Sequence, residues 1–233
     1  MSETTHDRWG AASGLAALGV VAAAMVFERG APPAGASDVQ VAAFNAAHSH
    51  ALLTQSLLFL LSAAFMLWFL GCLRAHLAAA EGGTGRYAGI GFGAGVAYVT
   101  LSVVSQAGQI ALAQIAATAA APQLVTAIAS LAWALFTVAA VPAAVMLAAF
   151  AVLALRSGAL PSWLGWLAAV AGASQLGLLA ALVVDTGPLG PDGWYTFAPY
   201  PLYVIWLAAT AVTMLRRPTR PPAEHAPAVT ARR

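Results

Sequence analysis

Long apolar stretches, separated by short polar ones, dominate this chain. No Asp, Glu, Lys or Arg occurs between Tyr87 and Leu155, and one membrane crossing takes about 20 residues, so this stretch predicts two spans. The whole pattern predicts six spans, at about residues 11–27, 51–73, 88–118, 123–155, 161–184 and 200–215. The predicted fold is therefore all-α, a six-helix transmembrane bundle over residues 11–215, with a short N-terminus (1–10) and a disordered basic tail (216–233).

Composition points to the same class. Hydrophobic residues make up 61% of the chain and charged residues 8%, against about 25% charged residues in soluble domains. The ten basic residues are all Arg, and richness in Ala and Gly with Arg in place of Lys is typical of GC-rich bacterial genomes. We therefore expect a multi-pass protein in contact with the lipid bilayer of a bacterial plasma membrane. The net charge of +2 is too small to imply a nucleic-acid partner.

The arginines predict the orientation of the bundle. Six spans put both termini on one side, and that side holds nine arginines while the other holds only Arg29. The positive-inside rule therefore predicts that both termini are cytoplasmic. The nine are Arg8, Arg74, Arg86, Arg156, Arg216, Arg217, Arg220, Arg232 and Arg233.

A cleaved signal peptide is an alternative interpretation of the first span. Ala34-Gly35-Ala36 resembles an A-x-A cleavage site. Acidic residues before the apolar run argue against cleavage, as do Glu28 and Arg29 between that run and the motif. Cleavage would leave five spans and the same topology for the rest.

Two local signals refine the helix boundaries. Ser37 or Asp38 is a plausible N-cap for a moderately amphipathic helix over residues 38–50. That helix lies at the surface or extends the second span outward. Pro142 falls in the middle of the long fourth span and predicts a kink, because proline removes one helical hydrogen bond.

A polar stripe runs along the third span. Ser102, Ser105, Gln106 and Gln109 are spaced i, i+3, i+4 and i+7, so they share one helical face. Amides are costly in lipid unless they find partners. This helix is therefore expected inside the bundle, with its polar face toward other helices.

The predicted orientation brings further polar residues to similar depth in the outer half of the bundle. We hypothesise an outward-opening polar cavity that binds or passes a small neutral or amphipathic molecule. The candidate binding residues are Gln55, Ser102, Ser105, Gln106, Gln109 and Gln175. The alternative is that these side chains only bridge helices, at about 0.6 kcal/mol each.

A metal site or an enzyme has weaker support. His48 and His50, with Asp38, are the candidate metal ligands, but residues two apart on a helix point away from each other. No axial pair of histidines for a haem appears, so no cofactor is expected. The spans hold no ionisable group to activate a nucleophile or carry a proton. An enzyme using Asp38, His48, His50 and Asp185 of the outer loops is the weakest hypothesis.

Glycines in the third span suggest another role. Gly89, Gly91, Gly93 and Gly95 form two overlapping G-x-x-x-G spacings, which allow a neighbouring helix to approach closely. The second functional hypothesis is therefore a structural or regulatory subunit that packs against a membrane protein partner or a second copy of itself. Cys72 is the only cysteine, so an intrachain disulfide is impossible.

Two stretches resemble a known group of proteins. They are residues 43–74 (AFNAAHSHALLTQSLLFLLSAAFMLWFLGCLR) and 159–172 (ALPSWLGWLAAVAG). With the six-span pattern they resemble uncharacterised actinobacterial integral membrane proteins that are grouped in a domain-of-unknown-function family. The resemblance implies six helices in the plasma membrane, and it supplies no catalytic residues.

Overall fold

The computed structural model describes residues 3–27, 30, 32, 36–117, 122–191 and 193–216, with backbone alone for 3–7 and 117. Within these residues the fold is all-α, without a strand. The helices are α1 (Glu3–Met25), α2 (Asp38–Ala47), α3 (Ser49–Glu81), α4 (Arg86–Ala117), α5 (Pro122–Val138), α6 (Ala140–Ser157), α7 (Ser162–Gly177) and α8 (Pro199–Arg216).

Six segments are long and apolar enough to cross a membrane, which confirms the prediction of an all-α fold with six spans. They are Arg8–Met25, Ser49–Glu81, Arg86–Ala116, Pro122–Ser157, Ser162–Leu182 and Trp194–Arg216. Helices α5 and α6 together form one span, and the short α2 is not a span. The basic tail from residue 217 onward lies outside the described residues, as do Ala34 and Gly35 of the A-x-A motif.

Helix α2 begins at a capping box. The Ser37 hydroxyl accepts from the backbone N–H of Gln40, and the Gln40 side chain accepts from the backbone N–H of Ser37. These bonds satisfy two backbone donors at the helix start. The prediction of an N-cap at Ser37 or Asp38 is therefore confirmed, with Ser37 as the cap.

The second span continues past the predicted end at Leu73 to Glu81. Four of the eight residues from 74 to 81 are Ala, the residue with the highest helix propensity. The chain then turns through Gly82 and Gly83, whose φ angles of 69° and 60° lie in the left-handed region. Glycine adopts this region without steric cost, so α3 ends here and α4 begins after a short turn.

The fourth span is interrupted at Ala139, three residues before Pro142. Because proline has no amide hydrogen, the carbonyl of Val138 lacks its usual helical donor. Helical bonds persist on either side, from Ala139 N–H to Leu135 and from Ala143 N–H to Ala139, each 3.1 Å. The interruption therefore lies in the turn where Pro142 predicts a kink.

Consecutive spans pack side by side in a closed ring. The order around the ring is α1, α3, α4, α6, α7 and α8, and α8 packs back against α1. Glycines mark the closest approaches, because a Cβ at Gly14 would collide with Phe69 and one at Gly165 with Leu155. Helix α1 is thus an integral member of the bundle.

The two ends of the ring differ in their side chains. One end, here called the arginine end, is where α1 and α4 begin and where α3, α6 and α8 finish. The arginines toward this end are Arg8, Arg74, Arg86, Arg156 and Arg216. The opposite end, here called the amide end, is formed by the start of α3, the second half of α4 and the start of α5. Gln55 and Gln109 lie at the amide end.

Candidate functional site

A buried amide pair joins α3 to α4 at the amide end. The side-chain Nε2 of Gln109 donates to Oε1 of Gln55 at 2.6 Å, and Gln55 is only 1% exposed. The two helices run antiparallel, so residues 55 and 109 meet although they are 54 positions apart. An amide in an apolar bundle needs such a partner, and each of these glutamines supplies one to the other.

The two serines of the predicted stripe have different roles. The Ser105 hydroxyl donates to the backbone carbonyl of Ala132 at 2.9 Å and so ties α4 to α5. The Ser102 hydroxyl donates to the carbonyl of Tyr98 in its own helix, also at 2.9 Å. Ser105 therefore contributes to the contact between helices, whereas Ser102 satisfies its hydroxyl locally.

Three buried polar atoms at the amide end have no hydrogen-bond partner in the described part of the chain. They are Ser56 Oγ, Gln106 Oε1 and Thr126 Oγ1. Ser56 follows Gln55 on α3, and Gln106 lies one turn before Gln109 on α4. A fourth such atom, Thr210 Oγ1, belongs to α8. Three of the four unpaired buried polar atoms of the described residues therefore lie at about the depth of the amide pair.

Gln175 is buried but lies at another depth. Gly172 of α7 and Gly95 of α4 both pack against the same turn of α6. Gln175 is three residues beyond Gly172, while Gln109 is fourteen residues beyond Gly95. At 1.5 Å per residue, Gln175 is therefore about 16 Å nearer the arginine end than the amide pair. The structure brings together Gln55, Ser105, Gln106 and Gln109 at the amide end, without Gln175.

Helix α7 changes its winding next to Gln175. The backbone N–H of Leu178 bonds to the carbonyl of Gln175, which starts a tighter 3-10 turn over Leu178–Leu182. The carbonyl of Ser174 is thereby released and accepts from the Tyr195 hydroxyl at 3.1 Å. This bond holds the loop between α7 and α8 against the helix.

Helix α2 lies against the amide end. Val41 and Ala42 pack with Leu112 of α4 and Val125 of α5 in a small apolar cluster. The sequence pattern predicts either a surface position for this helix or an outward extension of the second span, which is α3. The chain breaks at His48 between the two helices, so α2 reaches α4 and α5 instead of continuing α3.

Sequence reasoning missed Ser56 as part of this site. A single serine in a Leu-rich span carries little signal, and the only hint was its position next to Gln55. Its hydroxyl is fully buried, a property that depends on the packing of α3 in the ring.

The metal-ligand candidates do not form a cluster. His48 stacks on Phe44 with ring centroids 4.4 Å apart, and its Nδ1 lies 2.9 Å from the Phe44 carbonyl, to which it can donate. His50 is exposed and Asp38 lies in the first turn of α2. Among the described residues, no group of three or more His, Cys, Asp or Glu side chains could hold a metal ion.

Comparisons of the chain with protein-family models, with curated proteins and with solved structures found no match.

Proposed function

We propose that this chain is a non-enzymatic integral protein of a bacterial plasma membrane that binds a small neutral or amphipathic molecule at the amide end. Both termini are cytoplasmic in this proposal, since the five described arginines lie toward one end of the bundle. The amide end then faces outward. The resemblance to actinobacterial membrane proteins is consistent with this location.

The observation that carries the proposal is the presence, among the described residues, of three unpaired polar atoms at about the depth of the Gln55–Gln109 pair. A buried polar atom without a hydrogen bond costs about 1–3 kcal/mol in proteins. Gln106 Oε1 is an obligate acceptor, and hydroxyls accept as well as donate. A ligand or water that donates hydrogen bonds would satisfy these atoms.

The absence of charged side chains from the second half of α4 and from α5 favours a neutral ligand. Helices α4 and α5, which carry most of the polar atoms, contain no charged residue after Arg86. An ionic ligand would enter without a counter-charge, which is costly in an apolar environment. A neutral molecule with hydroxyl or amide donors and an apolar part fits the amide end best.

Accessibility of engineered cysteines tests the proposal. In a Cys72→Ala background, Gln106→Cys and Ser56→Cys are treated with a membrane-impermeant thiol reagent added from outside. We expect both to react, because thiol reagents of this kind require water at the site. Protection of both positions would contradict a ligand site at the amide end.

Two control positions make the test specific. Leu57→Cys replaces a side chain that is 65% exposed on the outside of the bundle, where lipid surrounds it. Leu70→Cys replaces a fully buried residue of the apolar core. Neither should react, so labelling at Gln106 cannot be attributed to general loosening of the protein.

A structural or regulatory subunit is the second candidate. The space beside Gly89 and Gly93 is open, whereas Gly91 and Gly95 are in contact with neighbouring helices. One G-x-x-x-G spacing therefore remains for a partner helix or a second copy. Gly89→Leu should lower the size of the complex extracted in mild detergent if this candidate is right, and leave it unchanged otherwise.

A further inference from the structure

A cavity of about 320 Å³ opens at the arginine end, where α3 finishes, α4 begins and α6 finishes. Its volume lies at the lower end of the range for small-molecule sites, about 300–1,000 Å³. The lining side chains that matter here are Glu81, Tyr87, Arg156 and Ser157. This cavity is at the opposite end from the amide pair, so it is independent of the function proposed above.

Backbone hydrogen bonds hold the Glu81 carboxylate in place. One oxygen accepts from the N–H of Tyr87 and the other from the N–H of Ala88, both at 2.9 Å. The carboxylate thereby caps the start of α4. Each carboxylate oxygen can accept a further hydrogen bond, so Glu81 is a pre-positioned acceptor on the cavity wall.

Arg156 brings the opposite charge to the same cavity. It lies in the last turn of α6, where the helix dipole favours a cation. Its guanidinium makes no ion pair with Glu81 and no hydrogen bond to another residue of the described ranges. Its five N–H donors, arranged in a fork, suit a phosphate or carboxylate group.

We propose that this cavity binds a small zwitterion, with its cationic group at Glu81 and its anionic group at Arg156. A simple anion would be repelled by Glu81 and a simple cation by Arg156. Tyr87 adds an aromatic wall, and aromatic rings attract cations. The ends of spanning helices lie at the depth of lipid headgroups. Among zwitterions with this arrangement of charges, the depth of the cavity favours phosphoethanolamine, as a phospholipid headgroup or as part of a free small molecule.

A binding experiment with three probes tests the proposal. Native mass spectrometry measures how each probe binds to purified, delipidated protein in detergent. The probes are short-chain phosphatidylethanolamine, short-chain phosphatidylglycerol and glycerophosphoethanolamine. We expect phosphatidylethanolamine to bind more tightly than phosphatidylglycerol, which lacks the amine. If glycerophosphoethanolamine competes equally well, the ligand is a free zwitterion. If it fails to compete, the ligand is a lipid.

Matched arginine variants locate the site. Arg156→Gln should weaken binding of phosphatidylethanolamine about tenfold, the effect of losing one charge-assisted hydrogen bond. Arg86→Gln removes the same charge at the same end but outside the residues that line the cavity, so it should change binding less than about twofold. Equal effects of the two variants would overturn the proposal.

Glu81→Gln tests the cationic half of the site. This variant should abolish the preference for phosphatidylethanolamine over phosphatidylglycerol, because the neutral amide no longer attracts the amine. The amide oxygen can still accept one of the two backbone N–H groups of α4. A preference that persists in this variant, or equal binding of the two lipids by the unmodified protein, would refute a zwitterion site.

Discussion

The middle and arginine end of the bundle contrast with the amide end in how their interiors are filled. The former is packed with large apolar side chains, and Phe69, Phe150 and Trp206 are at most 1% exposed. At the amide end the apolar cluster is much smaller, and three buried polar atoms have no partner among the residues that the structure describes. Because lipid is as apolar as leucine, close packing must supply the stability of the first region. The unpaired polar atoms of the second region are the basis of the binding site proposed above.

Helix α4 takes part in both regions. Its first half presents Gly91 and Gly95 to the core, where Phe150, Met146 and Leu70 fill the space above them. Its second half carries Gln106 and Gln109 at the amide end. Substitutions in the two regions are therefore expected to differ in how much stability they cost.

The largest loss is expected from truncation in the core. Phe150→Ala removes a ring that stacks on Trp206, with centroids 6.0 Å apart, and leaves a cavity. We expect the free energy of unfolding to fall by about 3 kcal/mol, measured by denaturant titration in detergent micelles. Leu131→Ala on α5, where the side chain is 61% exposed, should change it by less than about 0.5 kcal/mol. Similar losses would show that the core is not tightly packed.

A pair of glycine substitutions separates the two faces of α4. A Cβ at Gly91 would lie 2.5 Å from Phe150 Cε1, while nothing lies within 4 Å of one at Gly89. Gly91→Ala should therefore destabilise the protein by about 1–3 kcal/mol. Gly89→Ala should be neutral or stabilise it by up to about 1 kcal/mol, because alanine favours helix. Thermal unfolding in micelles measures both, and destabilisation by both would contradict the assigned faces.

At the amide end the expected effects are smaller. Gln109→Leu breaks the bond to Gln55 and should cost about 0.6–1.7 kcal/mol. Gln114→Leu, at an exposed position of the same helix, should cost almost nothing. The double variant with Gln55→Leu should lose less than the sum of the single losses, because the bond can be broken only once. Additive losses would mean that the pair contributes nothing to stability.

The smallest changes in stability are expected from substitution of two buried serines. Ser105→Ala removes the bond to Ala132 and should cost about 0.6 kcal/mol. Ser56→Ala removes a hydroxyl that has no partner within the described part of the chain, so stability should stay constant or rise slightly in the absence of ligand. A loss at Ser56 as large as that at Ser105 would reveal a hydrogen bond there, formed by water or a bound molecule even in the purified protein.

Much of the helical arrangement was predictable from local features. Pro142 predicted a kink in the fourth span, and the helix is interrupted within the preceding turn, because the missing amide hydrogen is a property of the residue itself. Ser37 and Gln40 likewise determine the start of α2 through a local capping box. The position of α2 against Leu112 and Val125 was not predictable, because it depends on contacts between segments far apart in the chain.

The partners of the polar stripe on α4 were likewise not predictable from local features. Helical periodicity placed Ser105, Gln106 and Gln109 on one face, but it could not tell which of them would be paired. Ser105 and Gln109 find partners on α5 and α3, and Gln106 Oε1 finds none in the described structure. Gln175 is a glutamine like Gln106 and Gln109, but it lies at a different depth in the bundle.

The sequence by itself determined that this is an all-α protein with six spans, because hydrophobicity and the length of a membrane crossing act on each segment alone. Only the tertiary structure decided which polar groups meet. It paired Gln55 with Gln109, and it placed Glu81 and Arg156 in one cavity. The reason is that these contacts depend on the register and depth of packed helices, which the glycine contacts set across the bundle.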